Sequence, residues 1–419
     1  MASKALIPFL VGMMLLTGVV NTLLTKYQDN QCVRDCDSSE PKDRKTFMQP
    51  VLQTAQMFAG ESACWIVIGL MSLYERYTSR KDPKANGYQS VANGDADDND
   101  DAASINSEAP LTGGAPAKRT SGPDGLLRGY GILLLALPAI CDILGTTLVN
   151  AGLFMVAASI YQMTRGALVL FVGLFSIVFL HRKLHLFQWV SLVGVVIGVA
   201  LVGLAGVIWP DSKAEATDVL LQAVDDATST EGLLAALGVT LIAGAQIFTA
   251  SQFVLEEFLL ERSNIAPLEV VGWEGLFGLA ATLIIMLVMH LVVGRTDAGR
   301  YGMFDMVEGF RQMFDYRSIW VSSLLIMVSI GGFNFFGLSV TRSVSATARS
   351  TIDSCRTLFI WMVSLGLGWE SFKWLQVAGF ALLVYFTFLF NGVVQPPFEF
   401  LRPTEEVEEL LPEEPIEHN

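Results

Sequence analysis

Histidine and cysteine are scarce in this chain, with four and five copies in 419 residues, and neither type is grouped for metal binding. His181, His185, His290 and His418 are scattered, and no Cys/His array has zinc-ligand spacing. Glycine-rich phosphate loops and Ser-His-Asp constellations are also missing, so no motif supports covalent catalysis. The reading is a non-enzyme with no cofactor, no metal and no nucleic-acid partner. Charge is scarce too: charged residues make up 16% of the chain and hydrophobic residues 52%. The apolar runs are too long and too many for soluble cores, which leaves a polytopic membrane protein.

The formal net charge of -14 says little about a ligand. The tail after Asn391 carries eight Glu against one Arg, and Asp95, Asp97, Asp98, Asp100 and Asp101 sit together in a second polar segment. Both flank the apolar runs.

Those runs predict an all-α membrane fold of ten transmembrane helices, at about 5–25, 50–73, 130–153, 158–180, 186–208, 232–256, 268–294, 318–341, 346–368 and 373–393. The first starts just after Met1–Lys4 with no A-x-A-like cleavage site, and reads as a retained helix. Residues 1–208 form a first five-helix repeat that includes a loop, 81–125, too poor in large apolar side chains to order itself. A connection at 209–231 leads to a second five-helix repeat at 232–393, and 394–419 is an acidic, disordered tail. The segment 295–317, with Tyr301, Phe304, Phe310 and Phe314, reads either as an interfacial amphipathic stretch or as an ordinary loop.

Internal similarity supports the repeats. Ala157-Ala158-Ser159 opens span four and Ser345-Ala346-Thr347 opens span nine; laying Ala158 on Ala346 puts Gln188 on Gln376 without a gap, and Arg165 on Asp353. An odd number of spans per copy turns the two copies upside down relative to one another, the plan of alternating access. Basic residues around the 2–3 loop and at His181-Arg182-Lys183 favour a cytosolic location for those loops and for both termini. If the 1–2 loop then faces an oxidising compartment, Cys32 and Cys36 would form a disulfide; two free thiols is the alternative.

Polar groups within lipid are expensive, about 2.5–3.5 kcal/mol for a charge at the helix centre on insertion scales, so their positions nominate a pathway. Glu61 and Glu274 occupy matching points in the second span of each half. With Asp142, Gln162, Arg165, Asn334, Arg349, Asp353 and Arg356 they form the candidate substrate and proton pathway. A carboxyl in a dry cavity is suited to exchanging protons, which makes the two glutamates the candidate coupling groups. Structural ion pairing is the alternative for Arg165, Asp353 and Arg356, and hydrogen bonding to a neighbouring helix for the glutamates. In the tail, Glu406 lies four residues before the pair Leu410-Leu411, the spacing of an acidic dileucine sorting signal that adaptor complexes read.

Several segments carry a family resemblance: Ala158-Ser159-x-Tyr161-Gln162-Met163-x-Arg165-Gly166, Asn334-Phe335-x-Gly337-x-Ser339-Val340-Thr341, Ser345-Ala346-Thr347-x-Arg349, Asp353-Ser354-x-Arg356-Thr357 and Gly368-Trp369-Glu370. The chain resembles the drug/metabolite transporter superfamily, and within it the solute carrier family 35 subfamily F, member 6 type. The resemblance implies a carrier fold and leaves the solute open. The expected function is secondary active, proton-coupled transport of a small organic solute across a lysosomal or vacuolar membrane. The alternatives are a Golgi or ER nucleotide-sugar antiporter, for which Arg165, Arg349 and Arg356 would meet the phosphates, and a non-transporting membrane protein that binds partners. A plasma-membrane location stays open as well.

Overall fold

The computed structural model describes residues 2–34, 36, 45–81, 127, 129–153, 155, 164–182, 184–208, 230–296, 300–368 and 372–396. Gln162, Glu406, Leu410 and Leu411 lie outside these residues, as do nearly all of the 81–125 loop, the 209–231 connection and the acidic tail.

Helices dominate, because inside lipid a helix satisfies its own backbone polar groups. In chain order they are α1 (Ala2–Asp29), α2 (Pro50–Ser62), α3 (Cys64–Lys81), α4 (Ala136–Leu153, entered through a 3-10 turn at Gly129–Leu135), α5 (Ala167–Leu180) and α6 (Leu186–Ile208). They continue with α7 (Thr230–Glu261), α8 (Pro267–Met289, ending in a π turn at His290–Gly294), α9 (Met306–Asp315), α10 (Arg317–Ser343), α11 (Ala346–Gly366) and α12 (Trp374–Phe390). Between α1 and α2 a small antiparallel hairpin pairs β1 (Cys32–Arg34) with β2 (Lys45–Thr46).

Among the described residues, seven helical segments are long and apolar enough to cross a membrane. Three other helices fall short for identifiable reasons. α5 and α12 are apolar but have 14 and 17 residues. α11 has 21 residues but carries Arg349, Asp353 and Arg356 in its interior. The span expected at 50–73 is one of the seven, Pro50–Thr78, with Ala63 as a single turn residue between α2 and α3, two after Glu61. The segment 295–317 folds in part into α9, capped by the Asp305 side chain, which accepts from the Glu308 backbone N–H at 3.3 Å.

Glycines set how closely the helices approach, as expected where dispersion rather than the hydrophobic effect packs them. α2 lies between α8 and α10. A side chain at Gly275 would strike the backbone of Ser62 and the Cβ of Glu61, one at Gly278 would enter the Phe58 ring, and one at Gly60 would strike the backbone of Met327. On the far side of the molecule, α6 and α12 meet through Gly198 and Gly379, each with the other's carbonyl oxygen within 3.0 Å of where a Cβ would stand. The main packing partners are α6 with α12, α4 with α7, α1 with α10, α2 with α8 and α10, and α5 with α7; α5 also meets α11. Gln28, fully buried near the end of α1, donates to Ser323 Oγ at 2.8 Å and the Ile319 carbonyl at 3.3 Å, fastening α1 to α10. The outward surfaces are rich in exposed Leu, Ile, Val and Phe, as a lipid-facing wall requires.

Candidate functional site

α11 positions the charges. It packs against α1, α5, α10 and α12, and Ser345 caps it by accepting from the Ala348 N–H at 3.1 Å. Arg349, Asp353 and Arg356 follow the i, i+4, i+7 spacing of a single helix face. At 1.5 Å per residue the outer two lie about 10 Å apart along the axis. Each end of that face organises a different cluster.

The first cluster surrounds Arg349, which is 1% exposed. Its guanidinium pairs with Glu256 of α7, also 1% exposed, and lies over the Phe253 ring at 4.1 Å. Gly337 of α10 makes the room: a Cβ there would stand 2.8 Å from Arg349 Nε. Gln252 donates to the other Glu256 oxygen at 3.0 Å. Three more carboxyls are within electrostatic reach of this pair: Glu61 from α2, Asp142 from α4 and Glu274 from α8. Glu61 accepts a 2.5 Å hydrogen bond from the Asn334 amide of α10. Asp142, half-buried, has Thr146 Oγ1 at 3.4 Å. Glu274 is buried, and its Oε1 has no hydrogen-bond partner among the described residues. Five helices thus bring four carboxyls and one guanidinium to one place, and α10 adds the Asn334 amide.

The second cluster centres on Asp353. Arg165, at the entrance to α5, reaches Asp353 Oδ2 with Nη2 at 3.1 Å, and Arg356 Nε stands 3.3 Å from Oδ1. Arg356 also lies over the Phe333 ring at 4.8 Å, in space that a side chain at Gly18 of α1 would fill. One carboxylate therefore faces two guanidiniums here, the reverse of the balance around Arg349.

Each end of the molecule carries its own polar tie. At the end where α11 begins, Glu257 accepts from the Ala346 backbone N–H at 2.9 Å and pairs with Arg182 at 3.1 Å; Arg182 also binds Glu261. At another point, Cys32 and Cys36 are joined by a disulfide with Cα atoms 5.8 Å apart. The hairpin they brace is held to α9 by Arg34 and Glu308, 2.8 Å apart, and by the Tyr316 hydroxyl, which donates to the Val33 carbonyl at 2.5 Å.

Of the residues nominated from sequence, Glu61, Asp142, Glu274, Asn334 and Arg349 meet in one cluster and Arg165, Asp353 and Arg356 in the other. Sequence reasoning missed Glu256, Glu257 and Gln252. α7 runs on to Glu261, five residues beyond the expected end of its span, and so carries the two glutamates inside the helix. The available signal was a Glu-Glu pair enclosed by the apolar run Phe253-Val254-Leu255 and Phe258-Leu259-Leu260.

Comparison with known proteins agrees with a carrier. A family model described as Nucleotide-sugar transporter matches residues 127–255. Human solute carrier family 35 member F6 is 35% identical over 390 residues, covering 93% of this chain and 89% of that protein. The mouse protein of the same name is 33% identical over 408 residues, covering 96% and 94%. An uncharacterized protein of Schizosaccharomyces pombe is 34% identical over 384 residues, 92% of this chain and 97% of that one. A solved crystal structure superposes with a TM-score of 0.56 at 10% identity, over 93% of this chain and 97% of the other, a likeness of fold. The chain belongs to the solute carrier 35 family, with member F6 among its relatives, and is a multi-pass membrane transporter.

Proposed function

We propose that this protein is a secondary active transporter that moves a small organic solute by alternating access and couples the movement to protons at Glu61 and Glu274. The observation that carries the reading is the position of those two glutamates. Both are buried where α2, α4, α7, α8, α10 and α11 converge, and Glu274 Oε1 lacks a protein partner among the described residues. A buried carboxyl that leaves hydrogen-bonding capacity unused is costly to fold around, and proton or solute exchange accounts for it.

Ten spans in two inverted five-helix repeats, 1–208 and 232–393, fit the packing. Under an exchange of repeats α1 takes the place of α7 and α4 that of α10, so the α1–α10 contact maps onto the α4–α7 contact. The α2–α8, α5–α11 and α6–α12 contacts map onto themselves. That is the pattern expected around a pseudo-twofold axis in the membrane plane. The acidic dileucine pattern at Glu406, Leu410 and Leu411 supports delivery to an endolysosomal or vacuolar membrane by adaptor binding.

Purified protein in proteoliposomes, loaded with an acid-inside gradient and offered a panel of amino acids, peptides and amines, tests the coupling. E61Q and E274Q keep side-chain size while removing titration, so each should lose pH-driven accumulation even at solute concentrations high enough to restore exchange. Proton-driven uptake that survives in both single variants and in the double variant would remove the two glutamates as coupling groups. A surface-labelling assay of L410A/L411A tests the destination, with diversion to the cell surface as the expected result.

A nucleotide-sugar antiporter is the second reading, favoured by the family match over residues 127–255. Against it, Arg349, Arg165 and Arg356 each pair with a carboxylate of the protein. Exchange of a uridine diphosphate sugar against uridine monophosphate in the same proteoliposomes decides between the two.

A further inference from the structure

We infer that the solute taken by the Arg349 cluster is an organic cation, an ammonium or a fixed-charge analogue, seated among Glu61, Asp142 and Glu274. The inference rests on the carrier reading above and names its substrate class.

Charge pairing inside the cluster comes first. Arg349 is the cation acting on all four carboxyls, and it is committed to Glu256. The Phe253 ring covers one side of its guanidinium and Gly337 lies close to Nε, whose N–H has no hydrogen-bond partner among the described residues. Gln252 occupies the remaining oxygen of Glu256. Glu256 and Arg349 thus neutralise each other's charge.

The other three carboxyls have weaker partners. Glu61 holds one neutral amide, Asp142 one hydroxyl at long range, and Glu274 Oε1 has none among the described residues. Among the described residues, the Cys64 thiol lies next to Glu61 and the Cys141 thiol next to Asp142. Neither brings positive charge. Three carboxyls without a dedicated cation in a low-dielectric site attract positive charge and repel phosphate. No group of three His, Cys, Asp or Glu side chains among the described residues is close enough to hold a metal ion. Asp142, the half-buried member, is the point of first contact.

A cation and protons would then compete for the same carboxyls, and an inward proton gradient would expel the cation. The test uses the full-length protein in detergent and in proteoliposomes. The probes are phenethyltrimethylammonium as a fixed cation, phenethyl alcohol as its neutral counterpart and uridine monophosphate as an anion. Wild-type protein should bind the cation and neither of the others. E274Q and D142N should each weaken cation binding by about tenfold or more, whereas E274D should recover part of the loss. Cation binding should also weaken as pH falls from about 7.5 to about 5.5, because protonation neutralises the acceptors. D142N, at the half-buried position, keeps the test informative if E274Q fails to fold.

Binding of the anion in preference to the cation overturns the inference. So does a lack of cation binding, or cation binding indifferent to both D142N and E274Q. Uptake separates this proposal from the carrier reading. Exchange of uridine monophosphate with the cation refused leaves the carrier standing and removes the cationic substrate. Carboxyl-dependent cation binding without any uptake supports the cation assignment and counts against transport through this site.

Discussion

The two charge clusters on α11 begin about one helical turn apart and have opposite composition. Around Arg349 one guanidinium meets four carboxyls from four other helices. Around Asp353 one carboxylate meets two guanidiniums, one of them on the same helix. The Asp353 cluster is local, which suits a tie between the entrance to α5 and α11. The Arg349 cluster gathers distant helices and leaves carboxyl oxygens underused, which suits a guest. An ion pair in lipid is therefore a poor guide to function by its presence alone; the residual charge once the pairs are counted is the better one.

Several changes would break or sharpen this contrast, and the largest effect is expected at Arg349. R349A leaves Glu256 charged and unpaired in a site with three other carboxyls, and should cost about 3–5 kcal/mol of stability. The double variant R349L/E256L should cost distinctly less than R349A, as read by thermal unfolding in detergent. Equal losses would show that the pair's charge is not what holds it.

Next comes Asp353. D353A removes the carboxylate that both Arg165 and Arg356 reach and should be more damaging than R165A, by about 1–2 kcal/mol, since Arg165 has part of its side chain exposed. The R165A/D353A double variant should be no worse than D353A alone. Strictly additive losses would mean that the two do not act as a pair.

G60A tests the packing that brings Glu61 to the site. A methyl there meets the Met327 backbone, which cannot rotate away, so α2 must move off α10 at a cost of about 1–3 kcal/mol. G12A, where nothing lies within 4 Å, is the control and should be close to neutral. The smallest effect is expected at the partly exposed Arg182–Glu261 pair, where E261Q should change stability by under about 1 kcal/mol. A larger loss would show that this tie bears more than a surface pair does.

Much of the architecture follows from sequence because its cause is local. A run of about twenty apolar residues matches the bilayer whatever its neighbours do, so most helices could be placed within a few residues. Arg165 and Asp353 could be related before any coordinates, because the two short junctions align at one offset, and the side chains lie 3.1 Å apart. The end of α7 was not legible in this way: hydropathy ends it at Glu256, five residues before the helix does, and so leaves Glu257 outside.

The sequence by itself determined that this is a helical, multi-pass membrane protein with a handful of charges inside its spans, because burial in lipid selects residues one helix at a time. Tertiary structure alone decided which charge is neutralised and which is left over. Glu256 and Arg349 are 93 residues apart, and Asn334 is 273 residues from Glu61. No periodicity within a helix specifies such partners. They are set by how closely the glycine faces of α2, α8 and α10 let the backbones approach, and so by which side chains those contacts bring into one low-dielectric space.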